Sequence, residues 1–305
     1  MNGRTRVIFR KTIIIAMLTA LCFAATYAQV RLPSGDMVHL GNFVMIMAAL
    51  LLGGLEGGLV GSLGMGLYDI INYSNKPTTI IRTFLLKFLV GFIVGFLFRL
   101  VLKKKLKTNH LLIGSTVFFT LLFGGTIALF FIGDYSNMSL NNFFVSEISN
   151  FFGSGKTVKL SLFVPIFSFV FAIGMGAGLI FSRKLSNRSK AALFAITVAV
   201  AINILGEFFL RYLLEGLKET WVGGLDSDVA FAASLATATS KIPGSLLTGF
   251  ISVFLAVLIY EPVYKAVKNI PEFKDNTDEF DEENIEEDEA LDNTLAYASS
   301  DNKQE

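Results

Sequence analysis

An all-α integral membrane protein is predicted by three observations. Of the 305 residues, 53% are hydrophobic and only 17% charged, against about 45–50% and 25% in soluble domains. The mean hydropathy is +0.60, and the apolar residues gather in charge-poor runs of about 16 to 23, close to the ~20 that cross hydrocarbon as a helix. The charge is also divided along the chain. Residues 272–305 hold 14 acids and 2 lysines, which leaves 24 bases and 11 acids in residues 1–271, a net of +13. These patterns exclude a soluble enzyme, a disulfide-framed secreted domain and a nucleic-acid-binding domain. The one cysteine, Cys22, lies in an apolar run, so no intrachain disulfide is possible.

Eight segments are candidates for transmembrane helices: 12–30, 38–54, 57–73, 81–102, 111–132, 160–182, 191–214 and 242–263. The second and third are short and joined by Gly53-Gly54-Leu55-Glu56-Gly57-Gly58, which predicts a tight helical hairpin. Lys and Arg mark cytoplasmic loops. They collect before the first span (Arg4, Arg6, Arg10, Lys11), after the fourth (Lys103, Lys104, Lys105, Lys107), after the sixth (Arg183, Lys184, Arg188, Lys190) and after the last (Lys265, Lys268). The alternate loops are poorer, with Arg31, then Lys76 and Arg82, then Lys156 and Lys159, then Lys218 and Lys241. Eight spans with both termini cytoplasmic satisfy every loop, in a multi-pass protein of the cell membrane.

A basic start, an apolar stretch and small residues before Gln29 also describe a cleavable signal peptide, although the run exceeds the usual 7–15 residues of an h-region. Cleavage would leave the remaining topology unchanged. From 271 onward the chain is acidic with few large apolar residues, so it is expected to be a disordered, solvated tail.

An ionisable side chain in hydrocarbon costs roughly 2.5–3.5 kcal/mol on insertion scales and points to a functional site. Asp69, Lys87, Glu207 and Arg211 are such residues. At 1.5 Å per residue, Asp69 lies about one turn in from the outer end of its span, Lys87 about 9 Å, and Glu207 and Arg211 roughly 10 and 5 Å, with Asn203 a turn deeper. All fall in the outer half, which predicts a polar cavity open to the outside and closed toward the cytoplasm. Glu207 and Arg211 share a helix face and can pair; the same charges could instead only neutralise one another between packed helices. Lys87 has no partner at helical spacing and needs an acid or a ligand from elsewhere. Arg31, Asp36, His39, Asn42 and Tyr73 stand at the same level in the outer loops. With two histidines in the chain, no metal site is expected, and no cofactor.

Ala16, Ala20, Ala24 and Ala28 form a stripe on one face of the first span, suited to close helix packing within the chain or against another subunit. Gly57, Gly58, Gly61, Gly64 and Gly66, and Gly91 with Gly95, predict intramolecular packing. Gly153-Ser154-Gly155-Lys156-Thr157 imitates a phosphate-binding loop, but Asn150 occupies the position of the required first glycine.

Val38-His39-Leu40-Gly41-Asn42-Phe43, the run Ala48-Ala49-Leu50-Leu51-Leu52-Gly53-Gly54, and a glycine-rich helix ending in Gly66-Leu67-Tyr68-Asp69 together resemble the S components of energy-coupling-factor (ECF) vitamin transporters. Residues 83–102 match the helix that normally follows. Ile242-Pro243-Gly244-Ser245-Leu246-Leu247-Thr248 resembles the opening of the final S-component helix, with Ser245 and Thr248 where the usual pattern has Asn and Gln. The resemblance covers about residues 12–105 and 190–268. It implies a six-helix bundle in 1–105 and 190–270, an inserted helix pair in 106–189, and an added tail in 271–305.

The resemblance further implies a non-enzymatic substrate-capture subunit that binds a vitamin-like ligand in an outward-facing pocket. A membrane coupling subunit and two cytoplasmic ATPases then drive uptake, and Ala16, Ala20 and Ala24 match the stripe that touches the coupling subunit. Asp69, Lys87, Asn203, Glu207 and Arg211 are the expected pocket residues, closed over by Arg31, Asp36, His39, Asn42 and Tyr73. The alternative is a stand-alone secondary transporter of a small polar solute, which should bind near the midplane between repeats; the two halves show no convincing repeat. A scaffold or sensor would leave the intramembrane charges unexplained.

Overall fold

A hydrocarbon slab offers no water to backbone groups, so each apolar stretch satisfies its own N–H and C=O groups as a helix. The computed structural model describes residues 3–31, 37–132, 147–148, 158–159 and 185–273, with a few positions between 169 and 180. Its helices are α1 (Gly3–Tyr27), α2 (Gly41–Leu52), α3 (Gly54–Asn72), α4 (Pro77–Lys103), α5 (Thr108–Ile132), α6 (Asn187–Trp221), α7 (Ser227–Ser240) and α8 (Ile242–Val267). Among the described residues, four stretches are long and apolar enough to cross a membrane: Thr5–Tyr27, Pro77–Lys103, Asn187–Trp221 and Leu247–Val267. At 12 residues α2 is about 18 Å long. Most of the sixth expected span, the Gly153–Thr157 loop and the tail from 274 lie outside the described residues.

Several boundaries differ from the sequence reading. Residues 38–40 precede the helix: β2 (Met37–His39) pairs antiparallel with β1 (Gln29–Arg31), setting Gln29 opposite His39 and Arg31 opposite Met37. A second ribbon, β3 (Glu147–Ile148) with β4 (Val158–Lys159), lies in the segment expected to be inserted. The described residues are therefore helical with two short ribbons. Helix α4 starts at Pro77, whose fixed φ suits a first helical position, so Arg82 is inside the helix and not in the loop. Helix α6 runs on to Trp221 and is about 52 Å long. The unexpected α7 is alanine-rich, a composition that favours helix without imposing a period, and Asp226 Oδ1 accepts from Asp228 N–H at its start.

The buried core is drawn from α1, α2, α3, α4, α6 and α8, with Met45, Ala49, Val60, Val90, Val94, Ile196, Ala199 and Tyr260 among its members. Helix α5 packs on α6 at the margin. In lipid, helices associate through close contact rather than hydrophobic exclusion, and the α3–α4 seam does this with glycine. A Cβ on Gly91 would lie 2.6 Å from the Gly57 carbonyl carbon, and one on Gly95 would run into the Gly54 backbone. Gly53 alone joins α2 to α3, at a φ of 124° that side chains rarely adopt. The expected hairpin is therefore a one-residue joint. Helix α1 docks on α3 through fully buried Cys22, which fills the space left by Gly64.

At the end holding both the α2–α3 joint and the start of α6, charges are fastened to fixed partners. Lys11 pairs with Glu56, and Arg99 Nη2 donates to the Leu52 carbonyl at 2.8 Å. Arg188 Nε donates to the Tyr260 hydroxyl at 2.9 Å, with its guanidinium 4.0 Å from the centre of the Tyr264 ring.

Candidate functional site

At the opposite end, six helices and β2 surround a cavity of about 210 Å3. Helical spacing explains which side chains face it. On α6, Asn203, Glu207 and Arg211 recur every fourth residue, as do Thr79, Thr83 and Lys87 on α4, so each set forms one stripe. Helix α3 contributes Met65, Tyr68 and Asp69, with Tyr73 just beyond its end. Helix α8 contributes Lys241 at its cap, then Gly244, Ser245 and Thr248. Thr26 of α1, Met37 and His39 of β2 and Asn42 of α2 complete the wall. Going deeper along the same helices, Met45, Val90, Val94, Ala199 and Val200 are buried and apolar.

Charges meet across the α4–α6 seam. Glu207 lies 3.4 Å from Lys87 Nζ, 3.1 Å from Arg82 Nε and 3.9 Å from Arg211 Nη2. The Arg82 contact is near but out of line for a hydrogen bond, so it acts by charge alone. Lys87 also donates to Asn203 Oδ1 at 2.8 Å. Glu215, one turn beyond Arg211, sits 3.4 Å from it and 3.8 Å from Arg82. The anticipated Glu207–Arg211 pair is thus the longest of the Glu207 contacts, and α4 supplies the nearer cations. The partner that Lys87 required is on α6. Thr83 donates its hydroxyl to Asp69 Oδ2, tying α4 to α3.

The ribbon residues close the cavity from the side. His39 Nδ1 accepts the Gly41 N–H at 3.2 Å. Burial pushes the His39 imidazole down to about 4, helped by Lys87 and opposed by Glu207, so the ring is neutral at physiological pH. Tyr68 receives a hydrogen bond from Gln29 Nε2 at 2.9 Å. Asn42 is 6% exposed, and its Oδ1 has no hydrogen-bond partner. The Thr248 hydroxyl donates to the Met37 carbonyl at 3.4 Å, so Ser245 and Thr248 face the cavity despite departing from the family's usual residues.

Of the ten expected pocket residues, Asp69, Lys87, Asn203, Glu207, Arg211, His39, Asn42 and Tyr73 line this one cavity. Arg31 lies on β1, and Asp36 falls outside the described residues. Sequence reasoning missed Arg82, Thr83, Lys76 and Lys241. The Thr79–Thr83–Lys87 spacing carried the signal for Thr83, but Arg82 was hidden by placing the helix start four residues late. Ala16, Ala20 and Ala24 are all exposed on the outer face of α1. No group of metal-ligating side chains occurs among the described residues.

The model of the family described as "ECF-type riboflavin transporter, S component" matches residues 7–155. That stretch includes α1 to α4, the ribbon β1–β2 and the cavity wall up to Lys87. The match covers just under half of the chain and supports an ECF S component. No curated protein and no solved structure matches the chain. The matched family is a membrane transporter family and not an enzyme family, in keeping with the long apolar helices. The cavity lies where the α2–α3 hairpin, α4 and the ribbon converge, and α6 and α8 complete its wall.

Proposed function

We propose that this S component captures a vitamin or related micronutrient from outside the cell and hands it to an ATP-driven ECF importer. The cavity carries the reading: ionisable and polar groups from six helices converge at one end of the bundle, and the buried residues Met45, Val90, Val94, Ala199 and Val200, deeper along those helices, are apolar. A conducting pore or proton relay would need such groups through the full thickness. The loop charges orient the cavity end outward, with eight spans and both termini cytoplasmic. Asp69, Lys87, Asn203, Glu207, Arg211, His39, Asn42 and Tyr73 form the binding wall, joined by Arg82 and Thr83. Arg31, on β1, closes over it from the first outer loop. The exposed Ala16, Ala20 and Ala24 face the membrane coupling subunit, which works with two cytoplasmic ATPases.

Two experiments test the reading. Uptake should require a coupling module, and uptake by cells lacking every such module would overturn it in favour of a stand-alone transporter. Mass spectrometry of small molecules retained by the purified full-length protein should find a ligand. Riboflavin, from the name of the matched family, is the first compound to look for.

A further inference from the structure

Asn42 is the one polar side chain among the buried residues of α2, a helix otherwise apolar from Gly41 to Leu52. It is 6% exposed and lines the cavity, and its Oδ1 makes no hydrogen bond. Among the described lining residues it holds the single buried acceptor without a partner. An asparagine near a helix start commonly serves as the N-cap, but the cap position here is Leu40, and no side chain bonds there. The neighbouring wall groups do not turn to it either. Thr26 donates to the Cys22 carbonyl at 2.8 Å, Thr83 to Asp69, and Thr248 to the Met37 carbonyl at 3.4 Å, so those hydroxyl protons are spent. Lys87 is held by Asn203 and Glu207.

The ionic groups of the wall largely answer one another. Glu207 touches Arg82, Lys87 and Arg211, and Glu215 touches Arg82 and Arg211. Asn42 has been taken out of water with nothing to bond. A buried acceptor left unmade is costly, and native structures rarely keep one without a reason. A donor that arrives with the occupant of the cavity supplies that reason. The last torsion of an asparagine side chain is broad and roughly two-fold, so a half-turn of the amide presents its oxygen to the cavity without any movement of α2.

We propose that Asn42 is the specificity-determining residue of the cavity, its Oδ1 accepting an N–H or O–H of the ligand. The substrate class is a micronutrient that carries an amide, imide or hydroxyl donor at the end lying against α2. The proposal rests on the capture function and names what that function selects. Such a donor is read more sharply than size, because an analogue lacking it leaves the oxygen buried and unmade in the complex as well.

The test uses the full-length protein in lipid nanodiscs and reads affinity from the shift of its thermal midpoint with compound concentration. The compounds come in pairs that differ in one donor: riboflavin and its N3-methyl derivative, nicotinamide and 3-acetylpyridine, pyridoxine and 4-deoxypyridoxine. A molecule retained on purification joins the series with its methylated twin. At least one donor-bearing member should raise the midpoint, and its twin should bind about tenfold or more weakly. Asn42→Leu, with Asn42→Ala as a smaller second variant, should bring the two members to within about threefold of each other; a merely structural asparagine would weaken both alike and leave their ratio unchanged. Asn42→Asp keeps an acceptor oxygen and should keep the preference. Equal binding of both members by the parent protein, a preference that survives in the Leu and Ala variants, or a retained molecule with no N–H or O–H overturns the assignment and leaves capture standing. If no compound moves the midpoint and none is retained on purification, the capture function falls as well.

Discussion

Helix α4 presents two faces to two neighbours, and the two seams are built on opposite principles. Toward α3, Gly91 and Gly95 meet Gly57 and Gly54 backbone to backbone, leaving no room for a side chain. Toward α6, Arg82, Thr83 and Lys87 meet Asn203, Glu207 and Arg211 around open space. The first seam gains contact energy from proximity. The second has desolvated charges that must be matched and can be matched partly by a ligand. One helix can therefore be both a rigid strut and a binding wall, provided its small residues and its charged residues keep to separate faces. Gly206 of α6 is the exception: its missing side chain admits Leu86 and brings α6 close enough for Lys87 to reach Asn203.

The largest effect should come from breaking the charged seam on one side. Glu207→Ala leaves Arg82, Lys87 and Arg211 without their shared acid and should cost about 3–5 kcal/mol, read as a loss of folded, monodisperse protein in detergent. Overfilling the glycine seam comes next. Gly91→Val must part α3 from α4 and should cost about 1–3 kcal/mol, whereas the same change at Gly114, where nothing lies within 4 Å, should be close to neutral.

A double substitution sharpens the contrast between glue and site. Replacing the pair with Lys87→Met and Glu207→Leu removes two desolvated charges, and such swaps are often neutral or stabilising. Uptake should nonetheless disappear. Retained uptake would reduce the charges to packing elements. Lys87→Ala alone should weaken ligand binding about tenfold or more while membrane insertion stays intact, and an unchanged affinity would remove Lys87 from the site.

The smallest expected effect concerns His39. Its folded value of about 4 lies below the ordinary 6.5, so the unfolded chain takes up the proton first. The His39 contribution to stability is complete above pH 6.5 and is lost as pH falls toward 4. In His39→Gln the thermal midpoint should fall less over that window than in the parent protein; identical slopes would show that His39 does not titrate there.

Legibility followed the period of the helix. Asn203, Glu207 and Arg211 could be placed on one face from their spacing, and Lys87 could be seen to need an acid or a ligand from another element, because a lone charge in hydrocarbon is costly. The hairpin was visible in its glycines, but that Gly53 alone makes the joint was not. Arg82 was not, since a hydropathy boundary set at 81 turned a wall residue into a loop charge, and Pro77 was the better marker. The ribbon was obscured because three-residue strands leave no periodic trace. Helix α7 was overlooked because alanine contributes propensity without a face. Asn42 was placed by its level in the chain, but that its Oδ1 has no partner is a three-dimensional fact.

Cys22 gives the molecule a built-in reporter. It is the chain's only cysteine, is 0% exposed and sits against Gly64, so a thiol-directed dye can reach it only when α1 lifts off α3. Thr26, one turn away on the same helix, lines the cavity. The labelling rate of the unmodified protein therefore measures how often that side of the binding chamber swings free, with no engineered probe to disturb the bundle.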